Sequence, residues 1–457
     1  MDYPTPELFR HDRLAVAIGN ASLLGVGYLL LGRKAWAIVT TLVTVAFLVL
    51  LGVTVPGTWF EVLFVVWWAA LITHGWYLAG KPGRPAPVRW PRVIALLIAV
   101  PVLTSVAYAR FDAASIEDNI TEARDSGDCP KAQSALDRIW FGHYVVDGPM
   151  AVRSENTAAA CARLLETARA LQVATSESDT RGLQAAYREL DAIRTDLPGH
   201  DMMVGTVLNG FTERVSDRDP CGISEITDWL RRRPASNNLL DRPADIVPRI
   251  APAALVACGD DRARNNDWNG AKERYQQLLD QYPGHELTAK AQEGATKAKQ
   301  SLELIHVSSL GAKYCQTPAA YSGAPAYTKG TANRAVIHHT DNLNDGYIKK
   351  LPQDWQADTS QAALVVCIGE REAGAPIRTC RYRILSNGQV RNVTFSKTAY
   401  SVKGYELRTG NLVIDTRVEF GGAVCPQTVT VFGDQSRMPA EPADSDIVAA
   451  FAPIFTQ

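Results

Sequence analysis

The chain has 457 residues, about three times a typical domain, so more than one domain is expected. It is 46% hydrophobic and 21% charged with a formal net charge of −1. That composition excludes a wholly disordered or collagen-like chain, and the missing basic excess argues against a dedicated nucleic-acid binder. The average conceals a split. Residues 1–110 hold nine Lys and Arg against four Asp and Glu, a balance of +5, and six of the ten Trp. The remainder balances at −6.

Four apolar stretches lie in the first 110 residues: Leu14 to Leu31, Ala35 to Val55, Trp59 to Ala79 and Val93 to Ala109. A helix needs ~20 mostly apolar residues to cross a bilayer core, and ~17 still suffice. The second and third meet this, and the fourth is short and interrupted by Pro101. The first is the weakest span, diluted by Asn20, Ser22, Gly25 and Gly27. Trp36, Trp59, Trp76, Tyr77, Trp90 and Tyr108 stand at the ends of the stretches, as in an interfacial belt. Trp67 and Trp68 are mid-span and call for a packing role. Glu61 is the only acid between Asp12 and Asp112 and lies near a helix start, where the dipole tolerates it.

Short loops rich in Lys and Arg stay cytoplasmic. Arg33 and Lys34 follow the first stretch, and Lys81, Arg84, Arg89 and Arg92 separate the third from the fourth. Both loops are therefore expected inside, which sends everything after Arg110 out. A fully spanning first stretch would then leave Arg10 and Arg13 outside. A re-entrant first stretch avoids that conflict. The first apolar run is followed by Gly-Arg-Lys and no small-residue cleavage site, so no cleavable signal peptide is expected.

The run Gly25-Val26-Gly27-Tyr28-Leu29-Leu30-Leu31-Gly32-Arg33-Lys34 resembles the glycine-rich turn of the TM2-domain family of small membrane hairpins. The resemblance covers about the first 80 residues, lacks that family's Pro, and implies a membrane hairpin without particular chemistry. A nucleotide-binding loop is excluded, because no soluble strand precedes these glycines.

All eight Cys lie between positions 129 and 425. An even set confined to the expected outer portion suits disulfides, which persist in oxidising compartments. No CxxC pair suggests zinc. Leu364 to Gly369 and Ile377 to Ile384 read as two strands about a turn at Glu372-Ala373-Gly374-Ala375-Pro376, which would set Cys367 opposite Cys380. The other expected pairs are Cys129–Cys161, Cys221–Cys258 and Cys315–Cys425.

Residues 111–305 carry helical spacing and a recurring segment. Asp179-x-x-Gly182-Leu183-x-x-x-Tyr187-x-x-Leu190 matches Asp267-x-x-Gly270-Ala271-x-x-x-Tyr275-x-x-Leu278, and each copy closes on Pro-Gly-His at 198–200 and 283–285. Asp128 begins a fainter copy. Asp caps the helix, the small residue admits a close neighbour, Tyr and Leu share the packing face, and Pro-Gly ends the unit. With Trp268, these residues resemble the tetratricopeptide family, which implies stacked helical hairpins that bind peptides or proteins, or that act as a spacer. Copies about 85–90 residues apart, rather than 34, predict an irregular TPR-like bundle. The run Arg231-Arg232-Arg233 could hold an anion or complete a helix C-terminus.

Residues 306–333 read as a linker anchored by Cys315. Residues 334–457 read as mostly β, a sandwich or barrel, with strands at Arg334 to His338, Ala362 to Gly369, Ile377 to Leu385, Val390 to Ser396, Ser401 to Arg408, Leu412 to Phe420 and Thr428 to Phe432. Ser386-Asn387-Gly388 and Thr409-Gly410-Asn411 mark turns, and a last helix is expected over Asp444 to Pro453. The string Tyr405 to Val413, followed by Cys425-Pro426, is similar to a β domain of secreted bacterial proteins. His338, His339 and Asp341 stand close together, but adjacent strand residues face opposite ways, which disfavours a shared metal. No nucleophile elbow, Walker loop, HExxH or kinase set appears, so no catalytic residue, metal or cofactor is assigned.

The expectation is therefore a multidomain protein: an α-helical transmembrane region of three to four helices (1–110), an all-α TPR-like domain (111–305), a linker (306–333) and a disulfide-stapled β domain (334–457). Its partners would be the lipid bilayer and other envelope or membrane proteins, with no nucleic acid. A membrane sensor or accessory subunit that binds a small ligand outside is the second reading, and an extracytoplasmic enzyme the third.

Overall fold

The computed structural model describes residues 12–53, 58–80, 90–339, 346–385, 388–431 and 435–456. The chain divides into two units, Met1–Ala251 and Pro252–Gln457.

The first unit opens with helix α1 (Arg13–Ala21), capped by Asp12, whose carboxylate accepts from Leu14 N at 3.1 Å. A break follows in which Leu23 and Gly25 adopt φ of 65° and 64°. Then come the short α2 (Val26–Leu30), α3 (Lys34–Val53), α4 (Thr58–Leu78) and α5 (Trp90–Ser126). Gly27 is required by a close approach. A Cβ there would sit 2.2 Å from the Val16 carbonyl oxygen and 2.4 Å from Asn20 Oδ1, so only glycine lets α2 fold back on α1.

The contacts trace the path of that first apolar stretch. Asp12 pairs with Arg92 at the start of α5, and Arg13 stacks its guanidinium 5.9 Å from the centre of the Trp76 ring. At the other end of α1, Asn20 donates to the Leu71 carbonyl and Trp68 Nε1 donates to the Ala21 carbonyl, both at 3.1 Å. The eight residues from Trp68 to Trp76 correspond to ~12 Å of helix. The chain then returns: Tyr28 Oη lies 2.9 Å from His74 Nδ1, and Trp36 packs on the same imidazole at 5.5 Å. The stretch from Leu14 to Leu31 dips along α4 and comes back to the end where it began. Trp67 and Trp68 do have packing roles: Trp67 donates to Thr44 Oγ1 at 3.2 Å.

Among the described residues, α5 is the one helix long and apolar enough to cross a membrane. The apolar parts of α3 and α4, Lys34–Leu50 and Val62–Leu78, are shorter. At 1.5 Å per residue α5 reaches ~55 Å, more than the ~30 Å of a hydrocarbon core. The expected boundary at residue 110 falls inside this unbroken helix. Past Arg110, the helix buries Ala113, Ile116, Ile120 and Ala123 in a soluble-type core.

That core is completed by α6 (Cys129–Leu136), α7 (Phe141–Val146), α8 (Gly148–Glu177), α9 (Thr180–Asp196), α10 (Asp201–Ser216) and α11 (Pro220–Arg232). Aspartate starts most of them. Asp128, Asp147, Asp179 and Asp219 accept backbone N–H groups at 2.9–3.1 Å, each cap contributing ~1 kcal/mol.

Helix α12 (Val247–Arg264) crosses the boundary between the units. In the second unit its C-terminal part packs with α13 (Trp268–Gln281) and α14 (Thr288–Leu310). The segment 306–333, expected as a linker, is packed. Val307, Tyr314 and Ala324 are buried with Val365 and Leu407, and Arg408 donates to the Ala324 carbonyl at 2.7 Å.

The C-terminal part forms one five-stranded mixed sheet, neither a sandwich nor a barrel. Its strands are β1 (Ala335–His339), β2 (Leu364–Arg383), β3 (Val390–Glu406), β4 (Leu412–Phe420) and β5 (Arg437–Pro439). The order is β1-β2-β3-β4, with β1 parallel to β2 and β5 parallel to β3. Helix α15 (Asp444–Thr456) brings Ile447, Phe451, Ile454 and Phe455 onto one face, against Leu364, Val366, Ile368, Tyr400, Val402 and Phe420. The alternate residues Val365 and Cys367 pack on the other side, against Tyr314 and Leu407. A strand buried on both faces needs no alternation, which explains the unbroken apolar run Leu364–Ile368.

Two pairs of expected strands are single long ones. The segment read as a turn, Glu372 to Pro376, lies within β2, where bulges between Ile368 and Arg371 and on either side of Pro376 absorb it. Likewise β3 runs straight through from Val390 to Glu406. The Thr409–Asn411 turn is present, with Gly410 at φ 74°. Gly388, at φ 70°, follows Ser386 and Asn387, which lie outside the described residues. Residues 428–431 form no strand, and β5 takes that place in the order.

Candidate functional site

The cysteines come first, because they fix which segments are held together. Cys129–Cys161 forms as expected, with Cα atoms 5.4 Å apart. Cys221 and Cys258 are both disulfide-bonded. The expected pairs Cys367–Cys380 and Cys315–Cys425 are replaced by Cys315–Cys367 and Cys380–Cys425, each with Cα atoms 5.7 Å apart. Geometry forces the exchange: Cys367 and Cys380 stand on the same strand, thirteen residues or ~43 Å apart at 3.3 Å per residue.

The repeat residues lie on α9 and α13. Gly182 faces Ala174 on α8, where an added Cβ would be 3.0 Å from that methyl. Leu183, Tyr187 and Leu190 are buried. Tyr187 meets Phe211 and Trp229 edge-on, and Arg233 lies 4.9 Å above its ring. In the second copy Gly270, Ala271, Tyr275 and Leu278 are buried, and Trp268 is half-buried beside them. Tyr275 Oη donates to Asp260 at 2.7 Å, and Lys290 reaches the same carboxylate at 2.9 Å. Burial raises the Asp260 carboxyl, but the hydrogen bonds from Lys290 and Tyr275 outweigh it and hold the group below its ordinary value. Burial, aided by Asp260, pushes the Tyr275 phenol upward.

Two sequence candidates are absorbed by structure. Arg231 and Arg232 both pair with Asp228, while Arg233 donates to the Leu240 carbonyl and Asp241. Each of the three arginines therefore has an acidic partner, two of them sharing Asp228. In β1, His338 and His339 point to opposite faces. His339 packs edge-on against Tyr400 at 6.2 Å, and burial holds the His338 imidazole below its ordinary pKa. Asp341 lies outside the described residues, as does the side chain of Glu61. Among the described residues no group of three potential metal ligands occurs.

The surface that stands out was not visible in the sequence. Beyond Ser396 toward the hairpin tip, β4 no longer covers β3, and β2 and β3 continue together as an arm from Pro376 to Ser396. One face of the arm is covered. Cys380, Val393 and Phe395 pack with Ala440, Met438, Val424 and Val429 around the Cys380–Cys425 bond. Gly422 permits this layer, since a Cβ there would lie 1.8 Å from the Glu441 carbonyl oxygen. The opposite face is polar and open. Register and alternation place Thr379, Arg381, Arg383, Asn392, Thr394 and, from β5, Arg437 on it. Thr379 and Thr394 bond each other through their hydroxyls at 2.9 Å. Arg381, Arg383 and Arg437 are exposed, and none has an acidic partner among the described residues. The outer edge of β2 along the arm is blunted by bulges, Pro376 and arginines, devices that discourage indiscriminate strand pairing.

The chain matches no protein-family model, no curated protein and no solved structure.

Proposed function

We propose that this is a multi-pass membrane protein whose large C-terminal portion stands outside the cytoplasm and binds an envelope partner with an acidic surface. The observation that carries the reading is the open face of the β2–β3 arm, where Arg381, Arg383 and Arg437 share one face with no acidic partner among the described residues and a disulfide holds the layer beneath. Arginine in such a setting suits bidentate contact with carboxylates. Four disulfide pairs and a membrane-length helix are consistent with a membrane or extracellular location.

The multi-pass part rests on the apolar, outward-facing surfaces of α3 and α4, where Ile38, Leu42, Val62 and Val66 are exposed, together with α5. The aromatic residues at the ends of the apolar stretches, Trp36, Trp59, Trp76, Tyr77, Trp90 and Tyr108, are exposed as belt residues would be. The re-entrant course of α1 and α2 removes the charge conflict: Arg13, Lys34 and Arg92 all fall at one end of the bundle, the cytoplasmic end by the Lys/Arg rule. The glycine-rich turn and the two Asp-Gly-Tyr-Leu helices remain in keeping with a TM2-like hairpin and a TPR-like bundle.

The test is cross-linking in native membranes followed by purification of the full chain. Reversing the arm charges (Arg381→Glu, Arg383→Glu, Arg437→Glu) should abolish a reproducible cross-linked partner, and replacing all three with Lys should retain part of it. An unchanged partner set in the triple Glu variant would reject the arm as the binding face.

A further inference from the structure

Because the first stretch turns back, it leaves space that a full span would fill. A cavity of about 900 Å³ lies above the α1–α2 tip, framed by α3, α4 and α5 and roofed by Val145 and Val146 of α7. Its floor is Ala21 to Leu24, beside Trp68, the midpoint of α4. Its walls are mostly apolar, with Thr41 and Thr44 on α3, and among the described residues its one charged lining residue is Arg110.

The depth of Arg110 is informative. It stands twenty residues along α5 from Trp90, ~30 Å, the full thickness of a hydrocarbon core. The neighbouring Tyr108 and Phe111 are exposed, as interfacial aromatics are. Arg110 is exposed and has no acidic partner among the described residues. Asp112, two positions on, is engaged by Arg138 at 3.1 Å and by His143 at 3.2 Å, so it does not neutralise Arg110. The cavity thus runs from mid-bilayer to the outer headgroup level, with a cation at its mouth.

We infer that this cavity holds an acyl chain of an anionic glycerophospholipid from the outer leaflet, with the lipid phosphate bound by Arg110. The inference rests on the membrane reading above. The occupant follows from the shape and chemistry. A helix from another chain is excluded by the floor, since a spanning helix needs the whole ~30 Å and this space is half that deep. A cavity of this size falls within the ~300–1,000 Å³ of ligand sites, which are mostly apolar with a few placed polar groups. Arginine supplies the fork that matches a phosphate.

Native mass spectrometry of the full chain, purified in mild detergent and exchanged with phosphatidylglycerol or phosphatidylcholine, reads the site directly. The wild type should retain one phosphatidylglycerol and little phosphatidylcholine. Arg110→Gln should lower phosphatidylglycerol retention about tenfold, the scale of one charge-assisted hydrogen bond, while Arg110→Lys keeps most of it. Val106→Trp, which fills the cavity one turn below, should remove the bound lipid. Equal retention of both lipids, or unchanged retention in Arg110→Gln, would overturn the assignment. Release of the wild type from membranes by alkaline carbonate would instead strike the membrane reading itself, and so separates the two failures.

Discussion

Tyr275 concentrates the logic of the helical part in one side chain. Its ring lies between Gly259 on α12 and Gly294 on α14, where a Cβ would come within 2.6 Å of ring atoms on either side. Its hydroxyl completes the coordination of Asp260 with Lys290. Alanine at either glycine would improve helix propensity by ~1 kcal/mol. The buried ring cannot withdraw, so the overpacking cost of about 1–3 kcal/mol should win. Gly294→Ala is therefore expected to lower the chemical denaturation midpoint, and a gain in stability would show that the ring has room. The Asp-x-x-Gly-x-x-x-x-Tyr-x-x-Leu spacing made Tyr275, Gly270 and the Asp267 cap legible in the sequence. Gly259 and Gly294 were not legible, because their role is set by a neighbour on another helix and leaves no local pattern.

His338 supports a second residue-scale expectation. Burial holds its folded-state pKa below the ordinary 6.5, so the unfolded chain binds the proton more readily. Its contribution is intact above pH 6.5 and declines as pH falls from there toward the folded-state value. Denaturation midpoints measured from pH 8 to pH 5 should drop on acidification, and His338→Gln should flatten that drop. An identical slope in the variant would place the proton elsewhere.

At the scale of elements, β2 shows why local turn chemistry misled. Glu372-Ala-Gly-Ala-Pro376 has the composition of a turn, yet each residue fits a long strand with bulges. Gly374 accommodates Lys397, whose Cβ would lie 2.9 Å from an added methyl. Pro376 stands in the stretch where β2 lacks an outer partner, so its missing N–H costs no ladder bond there. The long strand then dictates the disulfides, because it carries Cys367 into the core of the sheet and Cys380 out onto the arm. The arm and the sheet core are consequently stabilised by different groups. Cys380→Ser with Cys425→Ser should cost the arm about 2–4 kcal/mol. Hydrogen exchange should accelerate over residues 376–396, while Thr398–Tyr405, covered by β4, keeps its protection. Equal acceleration across both regions would mean that the arm and the core unfold as one unit. Strands at Leu412–Phe420 and the last helix were legible from alternation and apolar spacing. The one-sheet layout was not, since both faces of β2 are buried by segments distant in sequence.

At the scale of the molecule, α5 changes character along its length. Its first half exposes Leu97, Val100 and Val106, while its second half buries Ile116 and Ile120. The charge split between residues 1–110 and the remainder, and the confinement of cysteine to positions beyond 128, already pointed to a divided environment. The turn of the chain back along α4 after α1 was foreshadowed by the position of Arg13 in the sequence and required the contacts of Asp12, Tyr28 and Trp36 to be seen. The central claim is that everything after Arg110 stands outside the cytoplasm. It is tested most directly by inserting a specific protease site between residues 386 and 387, in the segment that connects β2 to β3, and treating intact cells with the protease. The account predicts cleavage without permeabilisation, with the two fragments still joined by Cys380–Cys425 until reductant is added. Cleavage only after the cells are opened would contradict it.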